Sequence, residues 1–131
     1  MWPFRRRRPA EYSGSLRIGA HSSDPDAYRV WTVSESRHLD VFEALWADAT
    51  PTEHGGSELR RWATLVPIRD PRFGVADVAV QFEGRTGCYL RPPHLEAVAR
   101  RAEAERVASL EVPALIERGP GGATVRLILA D

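Results

Sequence analysis

Short segments in which apolar and polar residues alternate constrain the fold of this chain more than any other feature. Between residues 75 and 82, Val78, Val80 and Phe82 alternate with Asp77, Ala79 and Gln81. Because successive side chains of a strand point to opposite faces, this period of two predicts a strand with one buried face. Further predicted strands, each bounded by turn-forming residues, are 16–18, 28–33, 62–68, 88–90, 112–117 and 124–129.

Two segments have the period of a helix instead. Apolar residues recur at spacings of three and four between Leu39 and Ala49, which predicts a helix with one apolar face. Ser36 or Asp40 is the expected N-cap, since Glu43 follows Asp40 at the spacing of a capping box. A second helix is expected from Pro92 to about residue 109.

This order of elements predicts an α+β domain in which two helices flank a mostly antiparallel sheet or a small barrel. A sheet of about seven short strands is large enough to curl or close, but periodicity alone does not decide between the two forms. A length of 131 residues fits one domain. We expect residues 14–131 to form it and residues 1–13 to be a basic, flexible tail.

The amino-acid composition excludes several classes of function. All eighteen basic residues are arginine, which excludes a Walker A lysine and a Schiff-base lysine, and the absence of lysine and asparagine indicates a GC-rich bacterial source. The four histidines and the lone Cys88 lack the spacing of a zinc site, and no catalytic Ser, His and Asp set is recognisable. The expectation is a protein that is no enzyme and uses no metal or cofactor.

The sequence also indicates where the protein is located in the cell and how charge is distributed along the chain. No apolar run approaches the roughly 18 to 20 residues of a membrane span and the start has no signal-peptide core, so we expect a cytoplasmic protein without membrane contact. Arg5–Arg8 hold four of the eighteen arginines, which leaves fourteen against eighteen acidic residues elsewhere. The tail therefore either binds phosphates without sequence preference or only solubilises the chain.

Five short segments in the middle of the chain occur in a recognisable order. They are Val33-Ser34-Glu35-Ser36, Leu65-Val66-Pro67, Asp70-Pro71, Ala79-Val80 and Gly84-Arg85-Thr86-Gly87-Cys88-Tyr89-Leu90. In this order they resemble the V-x-G-E-S-like turn, L-V-P-E strand, Asp-Pro loop, A-V-x-V strand and G-x-x-V-G-Y-L hairpin of the HIRAN domain family. The resemblance covers residues 30 to 105 and rests on order and spacing.

The resemblance implies a small OB/SH3-like antiparallel β-barrel that binds single-stranded DNA or DNA 3′ ends, in concert with a helicase or nuclease protein. This chain departs from the family in the loop that helps to hold the DNA end. Phe73 stands where the family has tyrosine, Gly74 where it has aspartate and Ala76 where it has asparagine.

The predicted nucleic-acid-binding residues are Arg37, His38, Arg69, Arg72, Phe73 and Tyr89. Arginines can contact phosphates while aromatic rings stack on bases, which is the combination that a single-strand groove requires. We expect the turn near Arg37 and the loop near Arg72 to form one exposed cleft. Each residue also has an ordinary structural reading: Arg37 and His38 as a solvated turn, Phe73 and Tyr89 as core.

The leading hypothesis is thus a non-catalytic module that binds single-stranded DNA or DNA ends in DNA repair or processing. The alternative is a protein-interaction or structural barrel that has lost DNA binding. This alternative is favoured by the altered loop and by the excess of acidic over basic residues outside the tail.

Overall fold

The computed structural model describes residues 12–49, 58–72, 74–119 and 121–129. Seven strands and two α-helices lie within these residues. Their bounds are β1 Ser15–Arg17, β2 Val30–Val33, α1 Leu39–Asp48, β3 Glu58–Asp70, β4 Gly74–Phe82, β5 Arg85–Leu90, α2 Pro92–Ala104, β6 Ser109–Gly119 and β7 Gly122–Leu127. Two 3₁₀ turns, Pro25–Ala27 and Glu35–His38, precede β2 and α1 respectively.

Six antiparallel strands close into a barrel, which confirms the predicted β-rich α+β barrel with two helices. The order is β6, β3, β4, β5, β2 and β7, and β7 pairs again with β6. One edge of β6 is shared, since Ser109–Glu111 pair in parallel with β1 while Ala114–Gly119 pair with β7. Closure leaves β1 as the short strand at the margin of the sheet.

The alternation in the sequence fixes which side chains fill the barrel. Leu65 on β3, Val80 on β4 and Cys88 on β5 lie opposite one another and are fully buried. Phe42 of α1 packs against Phe82, with 5.8 Å between ring centres. Val98 of α2 joins the same core.

The two helices mark opposite ends of the barrel. α1 contacts β5 and β7, and the guanidinium of Arg118, near the end of β6, lies over Trp46 of α1. α2 contacts β4, β3 and β6, and Val98 lines a cavity with Leu110, near the start of β6. The β3–β4 hairpin extends from the α2 end, since the pairing of β3 with β6 stops at Leu65. No helix in the described ranges is long and apolar enough to cross a membrane.

The predicted N-cap of α1, Ser36 or Asp40, is wrong. The N-cap is His38, and no side chain caps the helix. Ser36 lies inside the 3₁₀ turn, and the carboxylate of Asp40 accepts a hydrogen bond from Arg85 at 2.6 Å. The 3₁₀ turn leads directly into the helix, so it offers backbone acceptors to the first N–H groups.

α2 ends five residues before the predicted boundary, at Ala104. Arg106 has a φ of 56°, the Val107 N–H donates to the Ala102 carbonyl and the Arg106 N–H donates to the Glu103 carbonyl. These two bonds form a Schellman motif, which usually has glycine at the left-handed position. The sequence offers no glycine there, and for that reason the end was not predicted.

Candidate nucleic-acid interface

An aromatic pair lies on the outer surface of β2 and β5. Cys88 and Leu90 point into the core, so Tyr89 between them points outward, where it is half-buried. Tyr89 lies opposite Val33 of β2, and Trp31 lies two residues before Val33 on the same face. Diagonal neighbours of this kind are about 7–8 Å apart. Trp31 is 47% exposed, which is high for a large apolar side chain.

The turn between β2 and α1 adds His38 and Arg37 to this pair. The centres of the His38 and Tyr89 rings are 6.1 Å apart with a tilt of 56°. Two features shape the turn: Ser34 has a φ of 70°, and the Thr32 hydroxyl donates to the Glu35 carboxylate at 2.6 Å. Arg37 is exposed beside His38.

Arg91 completes the cluster at the exit of β5. It follows the buried Leu90, is exposed, and precedes α2. We call the outward-facing group of Trp31, Tyr89, His38, Arg37 and Arg91 the aromatic face.

Trp31 is held in place by Arg126 of the neighbouring strand β7. The guanidinium lies 5.2 Å from the centre of the Trp31 ring and opposite it in the strand register. Arg126 also pairs with Glu117 at 2.8 Å and donates to the carbonyl oxygens of Pro25 and Tyr28. Because these partners hold the Arg126 guanidinium, its contact with the Trp31 ring holds that ring in place.

Arg69 and Arg72 lie elsewhere, at the end of the β3–β4 hairpin. Arg69 is opposite Val75, and Arg72 is exposed in the turn. Tyr89 is opposite Ala79, and the rise along β4 from Gly74 to Ala79 is about 17 Å at roughly 3.4 Å per residue.

The prediction of one cleft near residues 37 and 72 is therefore wrong. From Val33, opposite Tyr89, the chain continues past Cys88, away from the β3–β4 hairpin. This places Arg37 near the α1 end and Arg72 beyond the α2 end. Phe73 lies outside the described residues, so its predicted role stays a prediction. The same holds for the basic tail up to residue 11.

The predicted set of binding residues did not include Trp31, Arg91 or Arg126, although Arg91 is close in sequence to Tyr89. Trp31 lies in a predicted strand, but both faces of that strand carry apolar residues, so the sequence does not show which face is outside. Arg126 is separated from Trp31 by more than ninety residues, and only the β2–β7 pairing brings them together.

The described arginines differ in whether a carboxylate pairs with them. Several are engaged in ion pairs with carboxylates, namely Arg17, Arg60, Arg85, Arg100, Arg101 and Arg126. In contrast, no carboxylate of the described residues lies within 4.0 Å of the guanidinium groups of Arg37, Arg91, Arg69 and Arg72. Arg37 and Arg91 belong to the aromatic face, and Arg69 and Arg72 lie at the end of the β3–β4 hairpin.

Beneath the aromatic face, burial raises the pKa of Cys88 to about 12. A hydrogen bond with Thr32 opposes this shift only partly. The thiol is thus protonated at neutral pH and packs as a small core residue. Across the described segments, no three His, Cys, Asp or Glu side chains lie close enough together to hold a metal ion.

Comparisons with protein families, with curated proteins and with solved structures give no match for this chain.

Proposed function

We propose that this protein is a non-catalytic module that binds single-stranded DNA on its aromatic face. The observation that carries the proposal is the placement of unpaired arginines, Arg37 and Arg91, beside an aromatic group in which Trp31 is exposed and Tyr89 and His38 are half-buried. A cation without a partner retains its full attraction for a phosphate, and a fixed ring gives a base a surface on which to stack.

Stacking is strong enough to hold a strand here. Each base stacked on an aromatic ring contributes about 1–3 kcal/mol, largely without regard to sequence. Because Arg126 holds Trp31 in place, binding costs little additional ordering of that side chain. The ligand we expect is therefore an unpaired strand with weak base preference, since a duplex hides the faces of its bases.

The end of the β3–β4 hairpin, which carries Arg69 and Arg72, extends the proposed nucleic-acid-binding surface. Between Tyr89 and Arg69 the outer face carries Val66, Ile68 and Asp77, of which Ile68 is 42% exposed, while Ala79 beside Tyr89 is buried. A nucleic-acid strand that crosses this face reaches Arg69, opposite Val75, after about 14 Å at roughly 3.4 Å per residue, and Arg72 farther on. The two groups of arginines would then contact different phosphates of one extended ligand.

The resemblance to HIRAN domains supports the same ligand. The family's turn has glycine where Ser34 stands, and Ser34 has the positive φ that glycine adopts most readily. The loop departures at Phe73, Gly74 and Ala76 concern residues linked to the DNA end, so the proposal requires a single strand but no free 3′ terminus. Since domains of that family occur beside helicase or nuclease engines, the module would act with a separate helicase or nuclease, in the cytoplasm.

Fluorescence anisotropy with a labelled oligothymidine of about 15 nucleotides tests the proposal. We expect saturable binding at low salt, weakened at least tenfold in the double variant Tyr89→Ala, Trp31→Ala. Arg37→Gln and Arg91→Gln should weaken it severalfold. Arg100→Gln is the matched control, because it removes an arginine from the exposed side of α2 and should leave binding unchanged.

Two outcomes would overturn the proposal: absence of binding at low salt, and equal weakening by Arg100→Gln and Arg37→Gln. An oligonucleotide with a blocked 3′ end should bind as well as an unblocked one. A strong preference for the free end would instead restore the family's mode of recognition.

A protein-interaction module is the second candidate. It is favoured by the exposed side chain of Ile68, at the hairpin that extends from the barrel, and by the carboxylates of Asp70 and Asp77 near Arg69. Acidic groups at this end oppose the approach of phosphates. A chain that binds no oligonucleotide at any salt concentration would fit this candidate.

A further inference from the structure

A pocket of about 710 Å³ lies between α1 and the hairpin that joins β6 to β7. One wall is a stripe of α1 side chains at helical spacing, Leu39, Phe42, Trp46 and Ala47. The other wall is the hairpin, which includes Arg118 and several glycines. Its volume and apolar lining are those of pockets that hold small organic molecules. None of these lining residues belongs to the aromatic face.

The guanidinium of Arg118 is the cation of this pocket. It lies 4.6 Å from the centre of the Trp46 ring, and no carboxylate of the described residues is within 4.0 Å of it. The contact with the ring face positions the guanidinium but leaves its charge without a carboxylate partner. An anion can therefore pair with Arg118 without displacing a carboxylate of the protein.

The indole N–H of Trp46 supplies a second sign of an absent partner. Trp46 is only 7% exposed, and its Nε1 is a buried donor for which the described chain provides no acceptor. A buried polar group without a partner lowers stability, and such groups are rare in folded proteins. Trp46 also lines the pocket, so a ligand oxygen at the indole edge would satisfy this donor once the covering groups shift.

We propose that this pocket binds a small carboxylic acid with an apolar body. Its carboxylate would pair with Arg118 and accept a hydrogen bond from the Trp46 N–H. Its apolar body would lie against Leu39, Phe42 and Ala47. Glu43 lies at the exposed rim, where solvent screens its repulsion of the ligand anion. This binding is independent of the proposed nucleic-acid function.

The test is a titration of the full chain with phenylbutyrate, followed by ¹H–¹⁵N spectra of the indole N–H groups. The Trp46 signal is identified by its loss in Trp46→Phe. We expect saturable binding in the millimolar range or tighter, with a downfield shift of the Trp46 N–H. Phenylbutanol, which lacks the charge, and acetate, which lacks the apolar body, should each bind at least tenfold more weakly.

Variants decide whether the pocket is responsible. Arg118→Gln should weaken phenylbutyrate binding at least tenfold, while Glu43→Gln should leave it unchanged or tighten it. The proposal is overturned if phenylbutyrate does not saturate, if the Trp46 N–H does not shift at saturation, or if Arg118→Gln binds as well as the parent protein. Weakening by Glu43→Gln alone would show a site for cations and would also overturn it.

Discussion

The guanidinium of Arg126 lies 5.2 Å from the ring centre of Trp31, although the two residues belong to strands far apart in the sequence. The same guanidinium pairs with Glu117 and donates to the carbonyl oxygens of Pro25 and Tyr28. One arginine thus connects the barrel, the segment that precedes β2 and the exposed indole.

Replacement of Arg126 by methionine should lower the free energy of unfolding by about 2 kcal/mol. The change removes hydrogen bonds to the Glu117 carboxylate and one donor from each of the Pro25 and Tyr28 carbonyl groups, and bonds to charged groups contribute roughly 1.5–3 kcal/mol. Urea unfolding measures the effect. Arg106→Met removes an exposed arginine without an ion pair and should change stability by less than about 0.5 kcal/mol. Equal effects of the two changes would contradict the role of Arg126.

Gly87→Ala should destabilise the protein by about 1–3 kcal/mol. A Cβ at this position would lie 2.9 Å from Cζ of Phe42 and 3.1 Å from Cδ2 of Phe82, inside the core. Gly119→Ala is the matched control, since its Cβ would meet no atom within 4 Å. Thermal unfolding of both variants gives the comparison. A stable Gly87→Ala protein would show that α1 can move away from β5.

The sequence predicted the barrel better than it predicted the site. Alternating segments identified the strands because their period depends only on local side-chain direction. β3 was predicted too short, from residue 62 rather than Glu58, since Arg60 and Arg61 interrupt its apolar pattern. Arg60 is accommodated on the outer surface by the carbonyl oxygens of Ser22 and Ser23.

The site was only partly predictable for a related reason. Tyr89 and His38 were both expected to bind, and the structure brings their rings together. Arg72 lies far from Tyr89 and His38 because of the way in which the residues of β2, β4 and β5 are paired. Pairing across the sheet is set by distant packing, which local patterns do not contain.

Ser34→Gly should raise the free energy of unfolding by about 0.5 kcal/mol. Ser34 has a φ of 70°, a left-handed conformation that costs a residue with a Cβ roughly 1–2 kcal/mol, partly offset by the greater chain entropy of glycine. Ser36→Gly, two residues later in the 3₁₀ turn, has no such strain to relieve and should lower stability by a similar amount. Denaturant midpoints of the two variants should therefore move in opposite directions. Movement in the same direction would refute the strain at Ser34.

Stability should fall on mild acidification because of His21. Burial lowers the pKa of His21, as do the nearby charges of Arg60, Arg17 and Arg61. The unfolded chain therefore binds a proton at higher pH than the folded chain does. The stability contributed by neutral His21 is fully present above the ordinary value of about 6.5 and is lost as the pH falls through it toward the lower folded value.

The variant His21→Gln checks this sign. Urea unfolding of both proteins at pH 7.5 and pH 5.5 should show a smaller loss in the variant, since carboxylate titration is common to both. His21 contacts the Tyr28 hydroxyl at 2.8 Å, so the variant should also be less stable at pH 7.5. An equal loss on acidification in both proteins would exclude His21 as the cause.

The salt dependence of oligonucleotide binding tests whether the aromatic face and the hairpin end hold one strand. Each phosphate contact made with a single strand contributes about 0.7 to the slope of log affinity against log salt. If the strand crosses the barrel from Arg37 to Arg69, then Arg37→Gln and Arg69→Gln should each reduce the slope by about that amount for a long oligothymidine. A trinucleotide is too short to span both groups when its bases stack on Tyr89 and Trp31, so for this ligand only Arg37→Gln should change the slope. If Arg69→Gln has no effect at any length, the footprint ends at the aromatic face, and Arg69 and Arg72 serve another partner.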